Sequence, residues 1–357
     1  MKLTPTMAAL LAMTATAFAA DDPGFPAPTG DASIVSSDAK VERVFDAGCA
    51  VAEGIASGPD GKMYFSDVTF TAFCKDDAGI FPQGGHIWQY DPAADKAVIF
   101  VSPSNMSNGI EFDAKGDMVF VQGPDSGGRR VMKKDMDTGR SFILTHLYEG
   151  REYNGPNDLT IDEAGRIYFT DPKYFGYEPM TQAQHSVFRI DPDGKVTRLV
   201  SDAGKMNGVL VSPDQKTLYV GSWDNGSYDF IRVPEGEGAT PAYIKETQAI
   251  YAYDLAADGT VGPRRTFLAM PFGAPDGFKA DVDGNLYITV RHEDPEKRGV
   301  YVYNPAGEEI AQILMPETWP TNVAFGRGDA SKTLYITASN SLFRIELNKD
   351  GYQLPSD

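Results

Sequence analysis

EGIASGPDGKMYFSD (residues 53–67), NGPNDLTIDEAGRIYFTDP (154–172), MNGVLVSPDQKTLYVGS (206–222) and PDGFKADVDGNLYIT (275–289) are four writings of one phrase. Each carries an acidic or amide residue near its start, then a turn, then a short apolar strand around an aromatic residue. Working outward, the phrase occurs six times: Glu53 before Met63-Tyr64-Phe65, Asn108 before Met118-Val119-Phe120, Asn157 before Ile167-Tyr168-Phe169, Asn207 before Leu218-Tyr219-Val220, Asp276 before Leu286-Tyr287-Ile288, and Asn322 before Leu334-Tyr335-Ile336. The turns read PDGK, AKGD, EAGR, PDQK, VDGN and ASKT, mostly the Asp/Gly or Asn/Gly chemistry that reverses a chain between paired strands. With Tyr64, Val119, Tyr168, Tyr219, Tyr287 and Tyr335 as markers, the steps are 55, 49, 51, 68 and 48 residues, close to the length of a four-stranded blade. The expected fold is therefore all-β, a six-bladed β-propeller. The long fourth step contains Trp223 to Gln248, rich in Gly, Pro and Glu, which reads as a surface insertion. A β-sandwich with coincident turn signals would not bring six copies into register.

Closing such a ring sets the first strand of every blade against the axis, so equivalent residues form one girdle around one tunnel. Glu53, Asn108, Asn157, Asn207, Asp276 and Asn322 hold that position, and all six end in a carboxylate or amide oxygen. A buried polar group without a partner costs several kcal/mol, so the girdle calls for a cation, ordered water or a polar ligand at its centre. Two carboxylates with several amides suit a hard, oxygen-seeking ion such as Ca²⁺ better than zinc, which more often takes His or Cys. A central metal site is expected.

The four quoted segments, in this order, resemble the senescence marker protein / gluconolactonase / luciferin-regenerating-enzyme family, over about Val41 to Leu347. The resemblance implies a six-bladed propeller with one divalent metal at the top of the tunnel, usually Ca²⁺ (with Zn²⁺, Mg²⁺ or Mn²⁺ as alternatives), and hydrolysis of sugar lactones. It places the family's metal ligands on Glu53, Asn157, Asn207 and Asp276, with Asn157 also in reach of substrate. Asn108 and Asn322 share the girdle without being family ligands and are expected to bond water or backbone. Some sugar lactonases carry an Arg two residues before the third-blade asparagine; here that position is Gly155, which leaves the substrate open.

What the resemblance implies chemically follows from the ion. As a Lewis acid it would polarise a lactone carbonyl and stabilise the developing oxyanion, with Asp276 the catalytic residue, acting as general base toward water. Direct attack by Asp276, as proposed in the related phosphofluoridases, stays open. So do a phosphotriesterase-like activity on the same fold and a noncatalytic ligand-binding propeller in which the metal is structural. The chain has no G-x-S-x-G elbow and no H-E-x-x-H. Tyr174, Trp223 and Trp319, with His292 in a post-strand segment, are candidates to line a sugar-sized pocket and bind substrate.

With 32 basic against 50 acidic residues the formal net charge is -18, which excludes a nucleic-acid or anionic-membrane partner; the expected partner is a small lactone, with any protein partner unassigned. At the N-terminus, Met1-Lys2, the apolar run Met7 to Ala19 and the small-x-small Ala17-Phe18-Ala19 read as a cleavable signal peptide over 1–19. The run is too short to span a bilayer, so the protein is expected to be secreted, to the bacterial periplasm, without membrane insertion. Residues 20–40 read as a flexible leader, 41–350 as the catalytic propeller and 351–357 as a C-terminal tail. Val41 to Phe45 is the expected strand to close the ring on the last blade. Cys49 and Cys74 are the only cysteines, and in an oxidising compartment an even pair is expected to form a disulfide.

Overall fold

The computed structural model describes residues 24–46, 51–69, 84–174, 176, 178–224 and 247–356. The expected signal peptide, the expected disulfide pair Cys49 and Cys74, and most of the expected insertion lie outside the described residues. Six antiparallel blades follow one another along the chain, five of four strands and one of five. The first strands, which face the axis, are Val51–Ser57, Ser107–Phe112, Leu159–Ile161, Met206–Val211, Ala274–Ala280 and Pro320–Phe325. The sixth sheet takes its outermost strand from the other end of the chain: Glu42–Asp46 pairs with Ser341–Glu346, closing the ring as anticipated. The architecture is a six-bladed β-propeller.

The repeated phrase has a visible physical role. Tyr64, Tyr168 and Tyr287 are buried, and each donates its hydroxyl to the Asp of its own hairpin turn, Asp60, Asp162 and Asp281, at 3.0, 2.9 and 3.2 Å. The polar tip of a core aromatic thus fastens the turn that precedes it. Adjacent blades are stitched by hydroxyls on the second strand: Ser66 Oγ donates to the Asn108 carbonyl at 2.8 Å and Thr170 Oγ1 to the Asn207 carbonyl at 2.7 Å. Six buried apolar clusters, one between each pair of neighbouring blades, supply the rest of the cohesion among the described residues. Burial at about 25 cal/mol per Å² makes these interfaces the main stabilising term.

Two segments differ from expectation. In the supposed flexible leader, Thr29–Gly30 adds a strand to the edge of blade 5, and Ile34 and Val35 are buried in the cluster between blades 5 and 6. Two apolar side chains and an open sheet edge outweigh a Pro/Gly/Ser-rich composition. At the other terminus, Tyr352 donates its backbone N–H to the Ala280 carbonyl, and Gln353 Nε2 donates to the Phe325 and Gly326 carbonyls. Tyr352, Gln353 and Leu354 thereby lie across one end of the tunnel instead of trailing from it.

Candidate metal centre and active site

The girdle residues sit at the opposite tunnel end, at the starts of the axial strands. In blades 1, 2, 4 and 5 each is followed by Gly, and strand pairing skips at those dipeptides: the register breaks between Ala52 and Ile55, Ser107 and Ile110, Met206 and Val209, and Pro275 and Phe278. Such irregularities re-aim a side chain, here toward the axis. The glycine lets the next blade approach. A Cβ on Gly54 would lie 2.4 Å from the Asn108 carbonyl oxygen, and one on Gly208 would lie 2.5 Å from that of Asp276. Girdle and blade spacing are therefore set by the same two-residue unit.

Glu53, Asn108, Asn157 and Asn207 line a pocket of about 100 Å³ together with Tyr174, Trp223, Trp319 and Arg291. Tyr174 stacks obliquely on Trp223 with centroids 5.3 Å apart and donates its hydroxyl to the Lys205 carbonyl. The sequence-predicted aromatics are thus brought together at the mouth. His292 is not; it lines an adjoining compartment, its Nδ1 accepting from the Asp294 backbone N–H at 2.8 Å. Asn322 does not line the pocket either: its Oδ1 accepts from the Val323 N–H at 2.9 Å. Asn108 Oδ1 accepts from the Gly54 N–H at 3.4 Å. Both amide oxygens accept from backbone N–H groups.

Asp276 lies just beneath the pocket, 2% exposed, with Arg291 over it. Arg291 Nε is 2.8 Å from Asp276 Oδ2, and Arg291 reaches Glu53 Oε1 at 3.5 Å. The Asp276 contact is an ion pair, and neither Asp276 Oδ2 nor Arg291 Nε has a well-formed hydrogen bond among the described residues. Burial pushes the Asp276 carboxyl up to about 6, partly offset by Arg291 and a hydrogen bond from Asn207. Glu53 is raised well above the usual carboxylate range by burial and then by the charge of Asp276. One guanidinium therefore leaves the pair short of positive charge. Two ionisable oxygen donors in that condition, with the amides of Asn157 and Asn207 at the same end, fit a hard divalent cation. Glu53, Asn157, Asn207 and Asp276 would hold it.

Arg291, the last residue of the strand Leu286–Arg291, is the residue that sequence reasoning left unassigned. Its register could have found it, because it stands four residues after Tyr287, as Trp223 stands four after Tyr219, and both line the pocket. A second missed group lies deeper. Asp158, fully buried and pushed up to about 6 by burial, is near Lys279, which comes from blade 5 and pairs with Glu111 of blade 2 across the tunnel.

The SMP-30/Gluconolactonase/LRE-like region model matches residues 128–237 and 239–340. A gluconolactonase of Zymomonas mobilis is 28% identical over 317 residues, covering 82% of this chain and 79% of the relative. Among solved structures, a gluconolactonase from Xanthomonas campestris superposes with a TM-score of 0.71 at 26% identity, over 90% of this chain and 94% of that one. Regucalcin from Agrobacterium tumefaciens, a calcium-binding protein, shares the fold with a TM-score of 0.64 at 17% identity, over 88% and 96% of the two chains. The described residues contain no helix long and apolar enough to cross a membrane.

Proposed function

We propose that this chain, which belongs to the SMP-30/gluconolactonase/LRE-like family, is an exported hydrolase that opens sugar-type lactones with one divalent metal ion, Ca²⁺ foremost. The observation that carries the reading is the pair of buried, under-compensated carboxylates Glu53 and Asp276, set with Asn157 and Asn207 under an aromatic pocket. The gluconolactonases similar to this chain support the substrate class.

Bound by Glu53, Asn157, Asn207 and Asp276, the ion would polarise the lactone carbonyl as a Lewis acid. The chain's own residues do the rest. Tyr174, Trp223 and Trp319 offer apolar faces to a sugar ring and exclude water from its flanks. Asn157, half-buried at the pocket wall, is placed to orient the lactone by hydrogen bond. Asp276 acts as general base toward water, its carboxylate held by the hydrogen bond from Asn207. A weak base suffices, since a cyclic ester is an activated electrophile.

Hydrolysis of a panel of aldonolactones, before and after chelation and on return of Ca²⁺, Zn²⁺, Mg²⁺ or Mn²⁺, tests the reading. Turnover lost with the metal and restored by it is expected; no turnover of any lactone with any ion rejects it. Export is checked by cell fractionation and by the N-terminus of the mature chain.

A further inference from the structure

Beside the central pocket lies a second compartment of about 550 Å³, lined by His292, Glu293 and Arg298 and sharing Trp223, Arg291 and Trp319 with the first. Its charge is unusual for a protein with a net charge of -18. Arg298 lies over the Trp319 ring at 5.3 Å and Arg291 over the same ring at 5.6 Å, so one indole carries two guanidinium groups. Arg298 donates its Nε–H to the His292 carbonyl at 2.8 Å and forms no ion pair with a carboxylate among the described residues. Glu293 on the same wall is exposed, and Arg291 is held from the other side by Asp276 and Glu53, so Arg298 is the cation of this compartment that forms no ion pair among the described residues. Both guanidinium groups lie over the indole and line the cavity, and a stacked arginine fork is suited to oxyanion recognition.

We propose that this compartment receives an anionic substituent of the substrate, a carboxylate, phosphate or sulfonate carried on the chain away from the lactone carbonyl. The inference rests on the reading that the lactone itself occupies the central pocket. Arg291 faces both spaces. A divalent ion on Glu53 and Asp276 would neutralise the carboxylates that now hold it, leaving its fork available to the neighbouring anion. Arg298 is the anchor that belongs to the second compartment alone.

The test compares glucono-1,5-lactone with its 6-phosphorylated and its C6-carboxylate counterparts on the whole, metal-loaded protein. Expected is a kcat/KM at least about tenfold higher for a charged lactone than for the neutral one, about 1.4 kcal/mol, and loss of most of that preference in Arg298→Gln. Equal turnover of charged and neutral lactones, or an equal loss on both in Arg298→Gln, overturns the proposal. Should no lactone be hydrolysed, calorimetry with the ring-opened acids separates the two failures. Tighter binding of 6-phosphogluconate than of gluconate, weakened in Arg298→Gln, supports the subsite without catalysis; no difference between the two acids overturns it.

Discussion

The two ends of the tunnel are built from the same six strands and differ in how their charges are settled. At the closed end, Lys279 and Glu111 join across the axis, Arg327 Nε donates to the Ser57 carbonyl at 2.9 Å, and the C-terminal residues lie over them. At the open end, two buried carboxylates share one arginine that satisfies neither fully. A buried charge without a complete partner is costly, so a fold that keeps one does so where something else binds. On the proposed reading, one end is structural and the other functional, although both hold acidic and basic side chains.

The largest effect expected is at the open end. Asp276→Ala should lower lactone turnover by about 10² to 10⁴, the range typical of losing a general base, while far-ultraviolet circular dichroism stays unchanged. Retained turnover with full metal occupancy would break the site assignment. Lys279→Met should do the converse. Leaving Glu111 and Asp158 without their cation should destabilise the fold by about 3 kcal/mol in chemical denaturation, with calcium affinity kept within about threefold. A matching loss of calcium affinity would show that the two ends are one electrostatic unit.

The third expectation concerns pH. Burial raises the folded-state proton affinities of both Asp276 and Glu53 above their unfolded values, so the stability Asp276 contributes is full below about pH 4 and is lost as pH rises through about 6, and that of Glu53 is lost in the same direction as pH rises through its raised folded-state value. In chelator the melting temperature should therefore fall between about pH 5 and 7; in saturating calcium the slope should reverse, since the ion binds the ionised pair. A flat profile in chelator would mean that Arg291 compensates both carboxylates. Next, Arg291→Gln should tighten calcium binding about tenfold, roughly 1.4 kcal/mol, because the resident cation no longer competes, and should lower the melting temperature of the chelated protein. Weaker binding in calorimetry would make Arg291 a supporting residue of the metal site. The smallest contrast lies within the girdle. Asn157→Ala should weaken calcium binding or turnover about tenfold, whereas Asn108→Ala and Asn322→Ala, whose oxygens engage backbone, should change either by only a few fold. Equal effects at Asn108 and Asn157 would break the four-ligand reading.

Fold and girdle were legible because one local device repeats: a turn Asp, an αL glycine such as Gly61, and a Tyr whose hydroxyl returns to that Asp. A motif held together within a dozen residues leaves its mark in the sequence. Arg291 was not legible in the same way. Its role depends on which side of a strand end its guanidinium takes, and that is decided by Trp223 from another blade at 4.6 Å. The Lys279–Glu111 pair was hidden for a related reason, since residues 168 positions apart meet only once blades 2 and 5 face each other. In the leader, composition pointed to mobility while Ile34 and Val35 carried the deciding information.

The closing strand also sets the order in which the molecule can form and come apart. Arg344 and Glu42, which meet in blade 6, are 302 residues apart along the chain, and bringing such distant segments together costs about 5 kcal/mol of loop entropy before any contact repays it. Blades 1 to 5 draw all four main strands from consecutive sequence, whereas blade 6 must wait for both ends. Its completion is therefore expected late in folding and the release of 42–46 early in unfolding, which hydrogen exchange along 42–46 and 341–346 checks. On that order, lifetime against heat and proteases is expected to depend on that five-residue seam, a matter of rate and not only of the apolar area the ring buries.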